Sequence, residues 1–200
     1  MSFEPFEDEA VAEGYRFIVG CDEAGRGPLA GPVVAAACYL PHHVEIAGIS
    51  DSKCLSELKR RDVFNALVSC EEVVYGVGVV SAETIDQINI LQASLQAMKI
   101  AVKQILLPID YVFVDGPHCF ASKIPVHPVI KGDRRVRSIA AASIIAKVTR
   151  DDMMIALGKK CPGYGFEKHK GYGVRQHLEA LKTLGPTKYH RMSFAPLRKD

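Results

Sequence analysis

The arrangement of apolar segments is the feature of this sequence that most constrains its fold. Five of these segments have the length of β-strands and are bounded by glycine, proline or acidic residues: 15–21, 32–40, 73–80, 111–114 and 126–130. Two longer segments show the apolar spacing of helices instead. The order of three strands, a helix, two strands and a second helix predicts an α/β layered domain with a mixed sheet.

The helical segments have recognisable ends. Asn89 is a candidate N-cap, and Pro108 ends the helix that follows it. The second helix, over residues 136–157, is apolar almost all round in its first half, which predicts that this half is buried. A short third helix near the C-terminus ends at Gly185.

The charge of the chain is divided unevenly along its length. Its 200 residues fit one domain, and their net charge is only +2. Residues 1–130, however, hold 9 Lys and Arg against 17 Asp and Glu, a net −8, whereas residues 131–200 hold 16 against 6, a net +10. The basic C-terminal third indicates a polyanionic partner, and the acidic remainder leaves room for clustered carboxylates.

Several classes of protein are excluded at this point. No apolar stretch approaches the roughly 20 residues that cross a bilayer, and the acidic N-terminal segment lacks the pattern of a secretory signal. The six cysteines form no C-x-x-C pair, which argues against a structural zinc site. We therefore expect a cytoplasmic protein that does not insert into membranes.

Acidic residues follow the predicted strands. Asp22 and Glu23 come after the first strand, Asp115 after the fourth and Asp133 after the fifth. Converging carboxylates repel one another unless divalent cations neutralise them, and an all-oxygen set of ligands favours Mg²⁺ or Mn²⁺. Each acid alone also has an ordinary explanation, in a turn for Asp115 or as a helix cap for Asp133. The shared position of all four favours a metal site.

A glycine-rich segment, GRGPLAG, separates the first two strands. Its glycine spacing and the strand after it exclude a dinucleotide-binding loop. Gly25 and Gly27 would let the backbone approach a ligand closely while Arg26 contacts phosphate. A tight turn between strands is the alternative, and both can hold. Lys53 is a further candidate phosphate contact, unless its neighbour Ser52 caps a helix.

Two C-terminal segments combine cations with aromatic residues, YGFEKHKGYG at 164–173 and HRMSF at 190–194. Contacts from the cations to phosphates and stacking of the rings on a sugar or base are the expected use. A solvated loop is the alternative.

Taken in order, these motifs resemble those of the bacterial type 2 ribonucleases H, the ribonuclease HII family. The resemblance covers almost the whole chain after the first dozen residues, in GCDEAGRGPLAGPVV, DSKCLS, INILQAS, VFVDG, IKGD, SIAAASIIAKVTRD, YGFEKHKGYG and HRMSFAP. It implies a ribonuclease-H-like fold, with a central mixed five-stranded sheet flanked by helices and a small helical C-terminal extension. Residues 1–14 are then expected to be a flexible acidic N-terminus, 15–160 the catalytic domain, and 161–200 the extension that completes the substrate groove.

The resemblance also implies a function. It implies a metal-dependent endonuclease that hydrolyses the RNA strand of RNA·DNA hybrids and incises 5′ of single ribonucleotides embedded in duplex DNA, leaving 3′-hydroxyl and 5′-phosphate ends. The partners would be those nucleic acids, and we expect a monomer. The C-terminal tail offers no convincing motif for binding a replication clamp.

Site residues are carried over by motif. The four catalytic, metal-coordinating carboxylates are Asp22, Glu23, Asp115 and Asp133. Substrate contacts fall to Gly25, Arg26 and Gly27, whose backbone would read the ribose 2′-hydroxyl, to Tyr172 on the following deoxyribose, and to Ser143 and Lys147 along the groove. The cations Lys53 and Lys170 are added as candidate phosphate contacts.

We expect phosphodiester hydrolysis with two Mg²⁺ or Mn²⁺ ions roughly 3.5 to 4 Å apart, bridged by Asp22. Two alternatives remain open. A non-catalytic nucleic-acid-binding module would explain the basic third but not the four acids. A proofreading-type exonuclease of the same superfold usually spaces its first two acids as D-x-E, whereas Asp22 and Glu23 are adjacent.

Overall fold

The structure, a computed structural model, describes residues 3–49 and 55–198. The strands are β1 (Ile18–Ala24), β2 (Val33–Tyr39), β3 (Val74–Val80), β4 (Tyr111–Asp115) and β5 (Val126–Val129). The helices are α1 (Phe6–Ala12), α2 (Glu57–Ser69), α3 (Ala82–Lys103), α4 (Arg137–Lys160), α5 (Phe166–His169) and α6 (Arg175–Leu184), with a 3-10 turn at Gly132–Arg134. Within the described ranges, no helix is both long enough and apolar enough to cross a membrane.

The five strands form one mixed sheet in the order β3-β2-β1-β4-β5. β1 runs parallel to β4, and β4 parallel to β5, while β2 is antiparallel to both of its neighbours. The carboxyl ends of β1, β4 and β5 therefore meet at one edge of the sheet. The predicted mixed five-stranded sheet is confirmed.

Helices cover both faces of this sheet. Successive residues of a strand point to opposite faces, and in β2 Val33, Ala35 and Ala37 pack with α3 while Ala36 and Cys38 pack with α4. Two close approaches depend on glycine. A Cβ atom at Gly20 would lie 2.2 Å from the backbone N of Ile139 in α4, and one at Gly78 would lie 1.9 Å from the carbonyl oxygen of Ala97 in α3.

The predicted N-cap at Asn89 is confirmed, but the helix begins earlier. Asn89 has φ 66° and ψ 166° and interrupts α3, and its Oδ1 accepts hydrogen bonds from the N–H groups of Leu91 (2.9 Å) and Gln92 (3.1 Å). It therefore caps the second half of the helix. The first half begins after Ser81, whose hydroxyl accepts from the N–H of Thr84 at 3.2 Å.

The acidic N-terminal segment, expected to be a flexible tail, contains a helix that packs on the domain. In α1 the ring of Phe6 contacts that of Phe113 edge to face, with centroids 5.9 Å apart. Its Glu7 accepts a hydrogen bond from the N–H of Ser138 at 3.1 Å, in the first turn of α4. Acidic residues at a helix N-terminus complement its dipole, so part of the acidic excess stabilises the start of α4.

Candidate active site

Three of the four predicted acids come together at the carboxyl ends of two neighbouring strands. Cys21 pairs with Val114 in the parallel ladder of β1 and β4, so Asp22 and Asp115 each follow a paired residue. Both line one cleft of about 480 Å³ together with Glu23. The other residues that line it are Ala24, Gly25, Arg26, Gly27, Arg60, Ser143, Ile144, Lys147, Arg150 and Tyr172.

Asp22 is strongly perturbed by its surroundings in the cleft. Its burial raises the pKa well above the ordinary value, and the charges of Glu23 and Asp115 raise it further. A hydrogen bond from the Ser143 side chain and one from the N–H of Glu23, at 2.7 Å to Oδ1, oppose this rise. An ionised Asp22 at neutral pH therefore needs an additional positive charge in the cleft.

Glu23 has one oxygen engaged and one available. Its Oε1 accepts a hydrogen bond from Nη1 of Arg26 at 3.1 Å. Its Oε2 is buried and has no hydrogen-bond partner among the described residues. Burial raises the pKa of Glu23, and the Arg26 guanidinium opposes that effect. A buried carboxylate oxygen of this kind is a ready ligand for a cation.

Asp133 lies beside Asp115 and outside the set of cleft-lining residues. It belongs to the 3-10 turn between β5 and α4, and it is 1% exposed. Its backbone N–H approaches Oδ1 of Asp115 at 3.4 Å. The fold thus brings the fourth predicted acid next to the third, with its side chain buried.

The donor set fits a hard divalent cation that is only partly held by protein. Among the described residues, no three or more His, Cys, Asp or Glu side chains are arranged so that they could hold a metal ion by themselves. Mg²⁺ does not need such an arrangement, because it usually binds through one or two carboxylates and takes its other ligands from water and substrate phosphates. Asp22, whose ionised form is disfavoured by burial and by the neighbouring acids, and the available oxygen of Glu23 meet that requirement.

The predicted Gly-Arg-Gly element lines the same cleft as the acids. A Cβ atom built on Gly27 would lie 3.7 Å from Cε1 of Tyr172, so the loop and the tyrosine ring face the same space. Gly25 has φ +97°, and a Cβ there would lie 2.0 Å from Nε of Arg150. Glycine at position 25 is therefore required by packing as well as by the turn.

The two predicted groove contacts on α4, Ser143 and Lys147, line the cleft. Ser143 bonds to Asp22, as described, and Lys147 forms an ion pair with Asp151 at 2.8 Å between Nζ and Oδ1. Sequence reasoning missed Arg60, which enters the cleft from α2. The sequence carried no signal for it, because α2 itself was not predicted.

The two C-terminal segments differ from expectation. Tyr164, Phe166, His190 and Arg191 are buried, so the prediction that the rings stack on substrate and the cations contact phosphate is wrong for these four. Tyr164 and Phe166 instead stack on each other, with centroids 5.2 Å apart.

Lys170 is also turned inward. It is 8% exposed, and its ammonium donates to the carbonyl oxygens of Glu167 (2.6 Å) and Lys168 (3.4 Å). The structure does not bring it together with the other predicted substrate contacts. Tyr172, 44% exposed, is the part of this segment that lines the cleft. Lys53 lies outside the described residues.

A family model described as Ribonuclease HII matches residues 19–197. The chain belongs to the ribonuclease HII family. The matched range contains all four acids, the Gly-Arg-Gly element and Tyr172.

Known members are similar over nearly the whole length of this ribonuclease HII chain. The ribonuclease HII of Chlamydia abortus is 53% identical over 194 residues, which cover 97% of this chain and 91% of the relative. The structure resembles that of the RNase HII of Archaeoglobus fulgidus, solved in complex with PCNA, with TM-score 0.74, 25% identity and coverage of 92% of this chain and 98% of the other. It also shares its fold with Bst-RNase HIII, solved in complex with Mn²⁺, with TM-score 0.66, 21% identity and coverage of 92% and 69%. The expected ribonuclease-H-like fold is confirmed.

Proposed function

We propose that this protein is a metal-dependent ribonuclease H. It would hydrolyse the RNA strand of RNA·DNA hybrids and incise 5′ of single ribonucleotides in duplex DNA, leaving 3′-hydroxyl and 5′-phosphate ends. One observation carries the proposal: Asp22, Glu23 and Asp115 line the same cleft as the Gly-Arg-Gly loop and Tyr172. Carboxylates that can bind a metal ion thus lie beside backbone and aromatic groups that can contact a ribose. Membership of the ribonuclease HII family supports the same activity.

The metal would be Mg²⁺ or Mn²⁺, with Asp22, Glu23, Asp115 and Asp133 as the carboxylates that share its coordination with water and substrate phosphates. When bound, such ions supply an activated water and stabilise charge on the leaving oxygen. A bound cation would stabilise the ionised form of Asp22, whose pKa is raised in its absence, and it would give the buried Oε2 of Glu23 a partner. Both features support this assignment. The Mn²⁺ complex of Bst-RNase HIII, a protein of the same fold, is consistent with it.

The chain's own residues would position the acids and the substrate. Ser143 orients Asp22 through its hydrogen bond, and Arg26 holds Glu23. Backbone groups of the Gly-Arg-Gly loop would bond the ribose 2′-hydroxyl, which DNA lacks. The Tyr172 ring, next to Gly27, would pack on the sugar that follows.

We further propose that the protein acts on these duplexes as a cytoplasmic monomer. PCNA is bound by the Archaeoglobus relative, but nothing in the C-terminal tail of this chain supports a clamp as a partner. Addition of a clamp to the assay below tests this directly.

The decisive assay uses a DNA duplex that carries one ribonucleotide, with Mg²⁺ or Mn²⁺. We expect incision 5′ of the ribonucleotide by the wild-type protein, and binding without incision by Asp22→Asn. Asp8→Asn is the matched control, because it makes the same chemical change on the exposed side of α1. Resection from the duplex ends would favour an exonuclease, and binding alone by the wild type would favour a binding module. Retained metal-dependent cleavage by Asp22→Asn would refute the carboxylate assignment.

A further inference from the structure

Two arginines are buried directly against the Gly-Arg-Gly loop. Arg150 of α4 is 1% exposed, and Arg191 of the C-terminal extension is fully buried. Burial of a charge is costly unless the charge is paired and hydrogen-bonded. Neither guanidinium forms an ion pair with any described residue, so backbone groups must satisfy both.

Arg191 bonds to the loop through its whole guanidinium. Its Nη2 donates to the carbonyl oxygens of Gly25 (2.6 Å) and Gly31 (2.9 Å), and its Nη1 donates to that of Arg26 (2.9 Å). Its Nε donates to Gly31 as well, at 3.1 Å. The Phe194 ring lies under the guanidinium, 5.1 Å from Cζ to the centroid. One side chain therefore ties both ends of the loop, across at least 160 residues of sequence.

Arg150, on helix α4, also supports the loop. Its three nitrogens donate to the carbonyl oxygens of Pro32 (3.0 Å), Lys170 (3.0 Å) and Ala30 (3.2 Å). This joins the loop to the segment that carries Tyr172. Burial and the charge of Arg150 lower the pKa of Arg191 to about 9, which leaves Arg191 charged at neutral pH.

The direction of the bonded carbonyls determines the direction of the neighbouring amides. In a planar trans peptide the N–H points opposite to the C=O. Because the carbonyls of Gly25 and Arg26 point at buried Arg191, the N–H groups of Arg26 and Gly27 point away from it. Neither N–H donates to another described group, and both residues line the cleft. They are two fixed donors presented to a ligand.

We propose that Arg191 is a positioning residue for ribose recognition, which holds the carbonyls of Gly25 and Arg26 so that the N–H groups of Arg26 and Gly27 face the substrate. The inference rests on the proposed function, since it explains how a glycine-rich loop keeps the geometry that a 2′-hydroxyl requires. Lysine cannot replace arginine here, because an ammonium lacks the planar fork that reaches three carbonyls at once.

The test compares Arg191→Lys and Arg191→Met with the wild type. Arg16→Met is the control, because Arg16 is exposed and lies before β1, at the edge of the sheet away from the acids. We expect Arg191→Lys to lower kcat for incision at a single ribonucleotide by about 10- to 100-fold, with KM changed less than about 3-fold. Amide hydrogen exchange in residues 25–31 should accelerate at least about 10-fold, while Arg16→Met behaves as wild type.

A merely structural role for Arg191 predicts a different result for the kcat of Arg191→Lys. If Arg191→Lys loosened the loop but kept kcat, or kept both kcat and slow exchange, the inference would be overturned. Should Arg191→Met fail to fold, the Lys variant still decides. Failure of the wild type to incise would refute the proposed function instead, and unchanged exchange in Arg191→Lys would then overturn the positioning role separately.

Discussion

At the scale of single residues, the acidic cleft stores unfavourable electrostatic energy. Asp22 is buried between two other acids, and its pKa is raised for that reason. A group whose pKa is higher in the folded than in the unfolded state keeps its proton longer when folded, so stability is highest at low pH and falls as pH rises through the raised value. Ionised Asp22 therefore destabilises the metal-free protein at neutral pH.

Replacement of this carboxylate should therefore stabilise the protein that it makes inactive. We expect Asp22→Asn, in chelator at pH 7, to gain about 1 to 2 kcal/mol in free energy of unfolding. The gain should shrink as pH falls toward 4, because the carboxyl then becomes protonated in the unfolded chain as well as in the folded protein. Urea denaturation of both proteins from pH 4 to pH 8 measures it. A gain that is constant with pH, or a loss at pH 7, would contradict the electrostatic origin.

Two buried histidines have their protons fixed by a chain of hydrogen bonds. The N–H of Thr187 donates to Nδ1 of His190 (2.9 Å), so the proton of that ring lies on Nε2. Nε2 of His190 then donates to Nε2 of His177 (3.1 Å), and Nδ1 of His177 donates to the carbonyl of Tyr172 (2.9 Å). Both rings must be neutral, because a further proton would place two donors face to face. The chain holds the backbone of the tyrosine that lines the cleft.

Because the two hydrogen-bonded histidines must be neutral, their contribution to the stability of the fold should depend on pH in the opposite sense to that of Asp22. Burial lowers the pKa of His190 to about 4, below its value of 6.5 when unfolded. Its contribution is fully present above pH 6.5 and is lost as pH falls to about 4, by up to about 3 kcal/mol. ¹⁵N NMR should show His190 protonated on Nε2, His177 on Nδ1, and titration of His190 only near pH 4. A midpoint near 6.5, or the reverse tautomers, would rule the chain out.

At the scale of elements, the strands could be predicted because apolar runs and turns are local signals. The observed ends of the strands differ from the predicted ends in one place that matters for the site. The first strand was expected to end before Asp22, yet β1 continues through both acids, since Asp22 and Glu23 pair with Ala36 and Ala35 of β2. Pairing uses the backbone, which polar side chains do not interrupt. The acids therefore lie within the strand and are fixed by its ladder.

The features that sequence could not predict depend on distant contacts. In α2 only Val63 and Leu67 are buried, so its apolar face is too narrow to show as a period. Its cleft residue, Arg60, was missed for that reason. Arg191 was expected to contact phosphate because it is a cation in a basic segment, but its partners are carbonyls that lie about 160 residues earlier. Local sequence patterns carry no information about a contact between residues so far apart in the chain.

At the scale of the whole molecule, the net +10 of residues 131–200 overstates the charge available to nucleic acid. Several of its cations are used internally by backbone carbonyls: Arg150, Arg191 and Lys170. Three cations line the cleft itself, Arg26, Arg60 and Lys147, in addition to buried Arg150. Two of these three belong to the acidic part of the chain.

This count predicts a moderate dependence of binding on salt. Each phosphate neutralised by a cation contributes about −0.7 to −0.9 to the slope of log K against log salt, so three cleft cations give a slope between about −2 and −3 for a hybrid duplex bound by Asp22→Asn. Fluorescence anisotropy between 50 and 300 mM KCl, at constant Mg²⁺, measures it, and Arg60→Met should reduce the slope by nearly one unit. A slope near −8 would mean that the entire basic third contacts phosphate, and a slope near zero would mean that binding does not depend on the cleft cations.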